Sequence, residues 1–215
     1  MLIIGAKGFA KEVLEVVCQN NCQEEIVFFD DISSDISDLL YKKYKILKDI
    51  DAAREYFLNT DKRFALGIGN PVLRYKMELK FSAAGGVLTS TISPFAHIGR
   101  FETYIEDGCN IMTGTVITNS ITIKKAALIN LNCTIGHDSV IGNYVELSPG
   151  VHVSGNCFID DYTSIGSGAC ILPKIKIGKN VRIAAGSVVT KDVDDNVMVT
   201  GVPAIVKKVL PSLEI

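Results

Sequence analysis

From Ile105 to Val189 every sixth residue is isoleucine, leucine or valine, at fifteen consecutive positions and without a slip of phase. With roughly a quarter of residues aliphatic, chance gives such a run on the order of once in a billion, so the period is a repeat and decides the fold ahead of local propensity. Six residues suit neither an α-helix nor a hairpin strand. They suit a short strand and a turn, with three repeats closing one triangular coil and each inward aliphatic stacking on its equivalents in the coils above and below. The position four after the aliphatic is small or apolar at Cys109, Ala127, Cys133, Ser139, Cys157 and Ala169. This predicts compact core residues near the corners and gives three of the six cysteines a packing role. The stretch from 99 to about 190 amounts to roughly five coils of a parallel β-solenoid. Its hand does not follow from the repeat; the usual crossover rule favours right-handed connections.

Residues 1–86 follow another grammar. Short apolar runs, LIIG (2–5), IVFFDD (26–31) and FALGIG (64–69), alternate with helical patterns at GFAKEVLEVVCQ (8–19), DIDAAREYFL (49–58) and PVLRYKMELKFSA (71–83), the last with proline in its first turn. VLTST (87–91) is a candidate fourth strand. The alternation predicts a small parallel α/β sheet with helices on both faces, and a chain divided into residues 1–86 and 87–215. The opening GAKGFAKE has glycines at 5 and 8, which is not the G-x-G-x-x-G dinucleotide fingerprint, and no candidate hydride acceptor accompanies it. A glycine turn between a strand and a helix still brings backbone N–H groups and a helix N-terminus close to a phosphate. Asp30 and Asp31 end the second strand and GIGN (67–70) the third. All three features fall on the carboxyl edge of the sheet, where ligands bind in open α/β folds.

The formal charge of −2 carries no basic surplus for nucleic acid or anionic lipid, and no apolar run reaches the ~18 residues of a membrane span. The first strand begins at Leu2 without a charged leader or cleavage site, so the expected location is cytoplasmic. Thiols stay reduced there, and the six cysteines are read as free, with Cys18 and Cys22 four apart on the first helix.

The hexapeptide run, its ending GSVVTKDV (186–193), GVPA (201–204) and VKKV (206–209), and the opening IIGAKGFAKEV with FFDD and GIGN together resemble the sugar O/N-acetyltransferases of the sialic-acid O-acetyltransferase type. These are hexapeptide-repeat acyltransferases, and the resemblance extends over nearly the whole chain. It implies a Rossmann-like amino-terminal domain joined to a left-handed parallel β-helix, acetyl-CoA as co-substrate with no metal, and a homotrimer with its sites between subunits. The reaction implied is acetyl transfer to the amino group of a nucleotide-linked amino sugar. NCTIGHDSVIG (132–142) matches the family's catalytic segment, which makes His137 the general base and Asp138 its orienting partner; a carboxylate beside an imidazole fixes its tautomer and stabilises the protonated form. By the same match Lys7, Gly8 and Phe9 lie near the sugar nucleotide's phosphates, Asp30 and Asp31 near its base and ribose, and Gly69 closes the pocket. Ser167 and Ala185 run along the pantetheine arm, and Lys207 and Lys208 are candidates for the 3′-phosphate of CoA. Glu146 is a further cofactor position by this match, and it departs from the pattern, standing where the family often has a histidine that touches acetyl-CoA; a carboxylate can only accept unless protonated.

Of the other histidines, His97 reads as structural, before the first clean coil, and His152 as an exposed turn residue. Some β-helix proteins of this class are zinc enzymes, which need three converging histidines. Here the spacings of 15 and 40 residues do not stack, and a metal is not expected. Two alternatives stay open: O-acetylation of sialic acid or a polysaccharide by the same base, and a non-catalytic β-helix that binds a sugar nucleotide.

Overall fold

The computed structural model describes residues 1–21, 25–33 and 35–214; Cys22 lies outside them. The chain opens as an α/β layer: β1 (Leu2–Ile4), α1 (Gly8–Asn21), β2 (Val27–Phe29), β3 (Leu39–Leu40), β4 (Tyr44–Leu47), α2 (Ile50–Asn59), β5 (Arg63–Leu66), α3 (Pro71–Ala83) and β6 (Val87–Leu88). The strands form one sheet in the order β3-β4-β2-β1-β5-β6. Alternate residues of β1 face opposite sides, as a strand's period of two requires. Ile3, Phe28 and Ala65 pack under α1 with Ala10, Val13 and Val17. Leu2, Ile4, Phe29 and Phe64 pack against Ala53, Phe57 and Phe81 of α2 and α3.

Both later helices start on recognisable caps. Asp49 accepts from the N–H of Ala52 at 2.8 Å, and Asn70, ahead of Pro71, accepts from Leu73 at 3.0 Å. The sheet is not wholly parallel as expected. Segment 32–48 carries a short hairpin in which β3 runs antiparallel to β4, a pairing too brief to show a period in sequence.

The repeat then winds into a three-faced parallel β-helix of two-residue strands. The first face holds Thr91–Ile92 through Arg182–Ile183, the second His97–Ile98 through Val188–Val189, and the third Tyr104–Ile105 through Lys176–Ile177. The stacked aliphatics from Ile111 to Val189 are buried in one continuous core, together with Cys109, Ala127, Cys133, Cys157 and Ala169. Two strands, Val197–Gly201 and Ala204–Val209, close the first face, the second of them antiparallel.

Two expectations about the start of the helix need correction. VLTST is not one strand: Val87–Leu88 extends the α/β sheet beyond residue 86, and Thr91–Ile92 already pairs with Asn110–Ile111 of the β-helix. The β-helix therefore begins near 91 rather than 99, and His97 sits within its first coil, paired with Val116. The cause is one extra residue on the way into the third face. Ile92, Ile98 and Ile105 stack on Ile111, Ile117 and Ile123, a step longer than the spacing above them, so a strict six-residue count loses the first two strands.

Each corner is made the same way. The third residue after the inward aliphatic takes a left-handed backbone at fourteen successive turns, from Gly108 to Gly186. Glycine, asparagine and aspartate hold most of these positions at little cost.

Candidate active site

A cleft of about 290 Å³ opens at the carboxyl edge of the α/β sheet, between the glycine turn after β1 and the end of β2. Lys7, Gly8, Phe9, Asp30 and Asp31 are all among its walls, as are Gly67 and Ile68. Gly67 is required for its tightness: a Cβ there would lie 2.7 Å from the Cβ of Ala10 and 2.9 Å from the carbonyl of Ile4. Gly8 and Phe9, the first residues of α1, line it, so a helix N-terminus lies at the cleft, the arrangement that favours a phosphate.

The two aspartates are already engaged. Asp30 accepts from the N–H groups of Ile32 and Ser33 and from the Ser33 hydroxyl, shaping the loop over the cleft. Asp31 pairs with Lys80 at 2.6 Å. Lys7 reaches Asp35 at 3.2 Å with both side chains exposed, a bond worth little in water and easily exchanged for an anion. Gly69 does not line the cleft as expected. It follows Ile68 out of it and faces Glu146, whose Oε1 would lie 3.2 Å from a Cβ at this position.

His137 stands on the corner between the second and third faces, outside the coil. Its Nδ1 lies 2.6 Å from Asp138 Oδ2, and both side chains are more than half exposed. Asp138 adopts φ 58°, the turn conformation that swings its carboxylate back beside the preceding ring. The imidazole lies against Gly155 of the next coil, where an added Cβ would sit 2.7 Å from Nε2. Sequence reasoning missed Gly155, although its position 18 residues after His137 marks it as the vertical neighbour. With Nδ1 engaged by the carboxylate, Nε2 is the nitrogen left free to take a proton. His152 is exposed on the second face, its Nδ1 2.9 Å from the Thr134 hydroxyl. Among the described residues no group of three or more His, Cys, Asp or Glu is placed to hold a metal ion.

Ser167 and Ala185 stack at a different corner, between the first and second faces, joined by the Gly186 N–H to the Ser167 carbonyl at 2.9 Å. Both are exposed. Lys207 and Lys208 are exposed on the last strand.

The α/β layer docks across the first face of the β-helix. Val16 packs on Met112 and Leu128, Asn20 donates to the carbonyl of Ile92, and Asn110 donates to that of Leu66. The firmest contact is Arg74 of α3, 1 % exposed. Its guanidinium donates to the carbonyls of Gly69, Tyr144 and Val145 at 2.6, 2.7 and 2.9 Å, while its Nε has no partner. Burial pushes its pKa down to about 10, so it stays charged at neutral pH. Beside it the Tyr144 hydroxyl donates to Glu78, which also pairs with Lys125 at 2.5 Å. Tyr144 and Tyr162 stack at 5.2 Å, each edge-on to Tyr75. Both tyrosines occupy left-handed turn positions, φ 57° and 59°, at about 1 kcal/mol each, a cost offset by contact with α3.

Glu146 follows this clasp on the first face. It is half-buried, and the loss of water around it raises its carboxyl above the usual range, an effect that Arg74 opposes. No hydrogen bond to its carboxylate forms among the described residues.

A family model, the PglD N-terminal domain, matches residues 1–80, and the six-repeat bacterial transferase hexapeptide model matches residues 156–191. WeeI from Acinetobacter baumannii AYE superposes with a TM-score of 0.87 at 32% identity, covering 96% of this chain and 98% of that one. The chain belongs to the PglD-type hexapeptide acetyltransferases. A histidine-to-asparagine variant of perosamine N-acetyltransferase from Caulobacter crescentus, in complex with CoA and GDP-perosamine, matches this family member at TM-score 0.89 and 27% identity over 96% of both chains. The acetyltransferase domain of PglB from Neisseria gonorrhoeae, in complex with acetyl coenzyme A, matches at 0.86 and 28%, over 96% of this chain and 98% of that one. Galactoside O-acetyltransferase from Lactococcus lactis is 54% identical over 41 residues, 19% of this chain and 20% of that protein. The chain thus aligns with about a fifth of the length of that curated relative.

Proposed function

We propose that this chain transfers the acetyl group of acetyl-CoA to the amino group of a nucleotide-linked amino sugar, in the cytoplasm, as a step of surface-glycan synthesis. The observation that carries the reading is the pairing of two sites in one chain. A glycine-turn cleft at a helix N-terminus suits a sugar nucleotide, and a carboxylate-held imidazole suits a base. The relative crystallised with both CoA and GDP-perosamine supports the same pairing of ligands.

In the proposed reaction the acceptor nitrogen attacks the thioester carbonyl carbon. His137 Nε2 takes the N–H proton as the C–N bond forms, and Asp138 keeps Nδ1 protonated and stabilises the imidazolium. The C–S bond then breaks, and the proton passes to the departing thiolate. The N-terminus of α1 with Lys7 would hold the sugar nucleotide's phosphates, and the exposed column of Ser167 and Ala185 would lie along the pantetheine arm.

The placement of the parts supports a homotrimer. His137 occupies the corner opposite the face that carries the α/β layer. Base and cleft of one chain therefore lie apart, and in the proposed assembly a neighbouring copy brings its His137 to this cleft. Any closed ring of this chain would give each cleft one base, and three copies are proposed on the family resemblance. The short match to galactoside O-acetyltransferase favours a second reading, transfer to a hydroxyl by the same base.

The test is thiol release from acetyl-CoA with UDP-, dTDP- and GDP-linked 4-amino sugars, sialic acid and galactosides, for wild type and His137→Ala. Turnover of an amino-sugar nucleotide that falls about 10²–10⁴-fold in the variant supports the proposal. Turnover of hydroxyl acceptors alone moves the chain to the second reading. An active monomer in sedimentation overturns the shared site.

A further inference from the structure

We infer that Glu146 is the residue that recognises the acceptor's amino group and so selects amino over hydroxyl sugars. The inference rests on the proposed function and deepens it. Glu146 is a charged group of the β-helix set against the turn that runs on from the cleft wall. Gly67 and Ile68 form part of the cleft wall, and Gly69, next in the chain, meets the Glu146 carboxylate. Any side chain at 69 would crowd Oε1 at 3.2 Å.

Structural duty does not use up this carboxylate. Its obvious partner, Arg74, turns its terminal nitrogens to three backbone carbonyls and leaves Nε without a partner, making no hydrogen bond to the carboxylate. Arg74 thereby locks the Gly69 turn to the residue just before Glu146 and fixes where the carboxylate sits. Its charge also keeps the carboxyl from gaining a proton as readily as burial alone would allow. The result is a half-buried acceptor, held in place beside the turn that runs on from the cleft wall, with no hydrogen-bond donor among the described residues.

The carboxylate selects its complement by chemistry. An ionised carboxylate accepts and carries negative charge. A sugar amine binds as the ammonium, which supplies both the hydrogens and the complementary charge, and such charge-assisted bonds are about twice as strong as neutral ones; one proton passes to solvent before the freed lone pair attacks, and His137 takes the second as the C–N bond forms. A sugar hydroxyl supplies one neutral donor. A carboxylate here thus discriminates by charge as well as by hydrogen bonding. Arg74 is a positioning residue; Glu146 is the one in contact with substrate.

Equilibrium binding without acetyl-CoA tests this apart from turnover. UDP- and GDP-linked 4-amino-4,6-dideoxy sugars are titrated against wild type, Glu146→Gln and Gly69→Ala, beside their 4-hydroxy counterparts. The expected result is a wild-type preference for the amino sugar, lost about 10–100-fold in Glu146→Gln, with hydroxyl-sugar affinity unchanged within about threefold. Gly69→Ala, which keeps the charge but displaces it, weakens amino-sugar binding in the same direction. Equal wild-type affinity for the two sugars overturns the inference. So does a Glu146→Gln protein that binds the amino sugar as wild type does, or one that loses both sugars alike. If wild type turns over no amino-sugar nucleotide, the proposed function fails; if it does and Glu146→Gln keeps the wild-type KM, only the role of Glu146 fails.

Discussion

Gly155→Ala separates the catalytic role of His137 from every structural one. Gly155 takes no left-handed backbone, so alanine fits its main chain without strain. The three nearest atoms to an added Cβ all belong to the His137 ring: Nε2 at 2.7 Å, Cε1 at 2.8 Å and Cδ2 at 3.1 Å. Ordinary contact begins near 3.4 Å, so Nε2 must withdraw by at least about 0.7 Å. The ring is exposed and free to swing, and doing so stretches or breaks its 2.6 Å bond to Asp138. Misplacing a catalytic group by about 1 Å costs on the order of 10²-fold in rate, about 2.7 kcal/mol at 1.36 kcal/mol per decade. Stability should move the other way: a glycine-to-alanine change at a compatible site favours the folded state by about 0.4–1 kcal/mol through the unfolded chain. The assay is steady-state thiol release with a saturating amino-sugar nucleotide, beside a thermal melt. A kcat reduced about 10–10²-fold with an unchanged or raised Tm is expected. Wild-type kcat would refute the placement of the base; a large loss of Tm would refute the claim that only the imidazole has to yield.

Three further outcomes follow from the buried groups. Arg74→Met leaves the buried carbonyls of Gly69 and Tyr144 without their donor, while Val145 keeps the Leu128 N–H, and should cost about 2–5 kcal/mol in urea unfolding; a loss under about 1 kcal/mol would show that the clasp is dispensable. Burial pushes the Cys109 thiol up to about 12 and Cys133 to about 11, and raises Cys157, so all three should resist a thiol-reactive dye at pH 8 and label on denaturation, as read by mass spectrometry. Glu146 has its folded pKa raised by burial against the pull of Arg74. Its ionisation therefore withdraws stability as pH rises above the ordinary glutamate value. Glu146→Gln should then gain Tm relative to wild type at pH 7 and lose that gain at pH 4; a difference independent of pH would count against a buried carboxylate.

Much of the architecture was legible because its causes are local and repeated. An aliphatic every sixth residue can be buried only by stacking, and the run from Ile111 to Val189 does so without exception. Strand–helix alternation gave the α/β layer for the same reason: periods of two and 3.6 leave different marks. The features that escaped reading lack a period. The β3–β4 hairpin is too short to show one, and the extra residue before Ile105 breaks the count that would have exposed the first coil.

The site divides in the same way. The His137–Asp138 pair is adjacent in sequence and remains adjacent in space. The glycine turn and the aspartates likewise meet at one edge because a parallel sheet ends all its strands there. Gly155 beside His137, Gly69 beside Glu146 and the Arg74 clasp instead join residues 18, 77 and 71 positions apart. The sequence by itself determined the solenoid and the α/β layer, because each is carried by neighbours along the chain or by a fixed repeat; it set His137 beside Asp138, while the proposed role of base comes from the resemblance. Only the tertiary structure decided that Asp30 and Asp31 are already bonded, that Glu146 faces Gly69, and that His137 lies across the β-helix from the cleft. Those facts depend on how one domain docks against the other, and docking is set by shape and hydrogen bonding between surfaces that no linear pattern records.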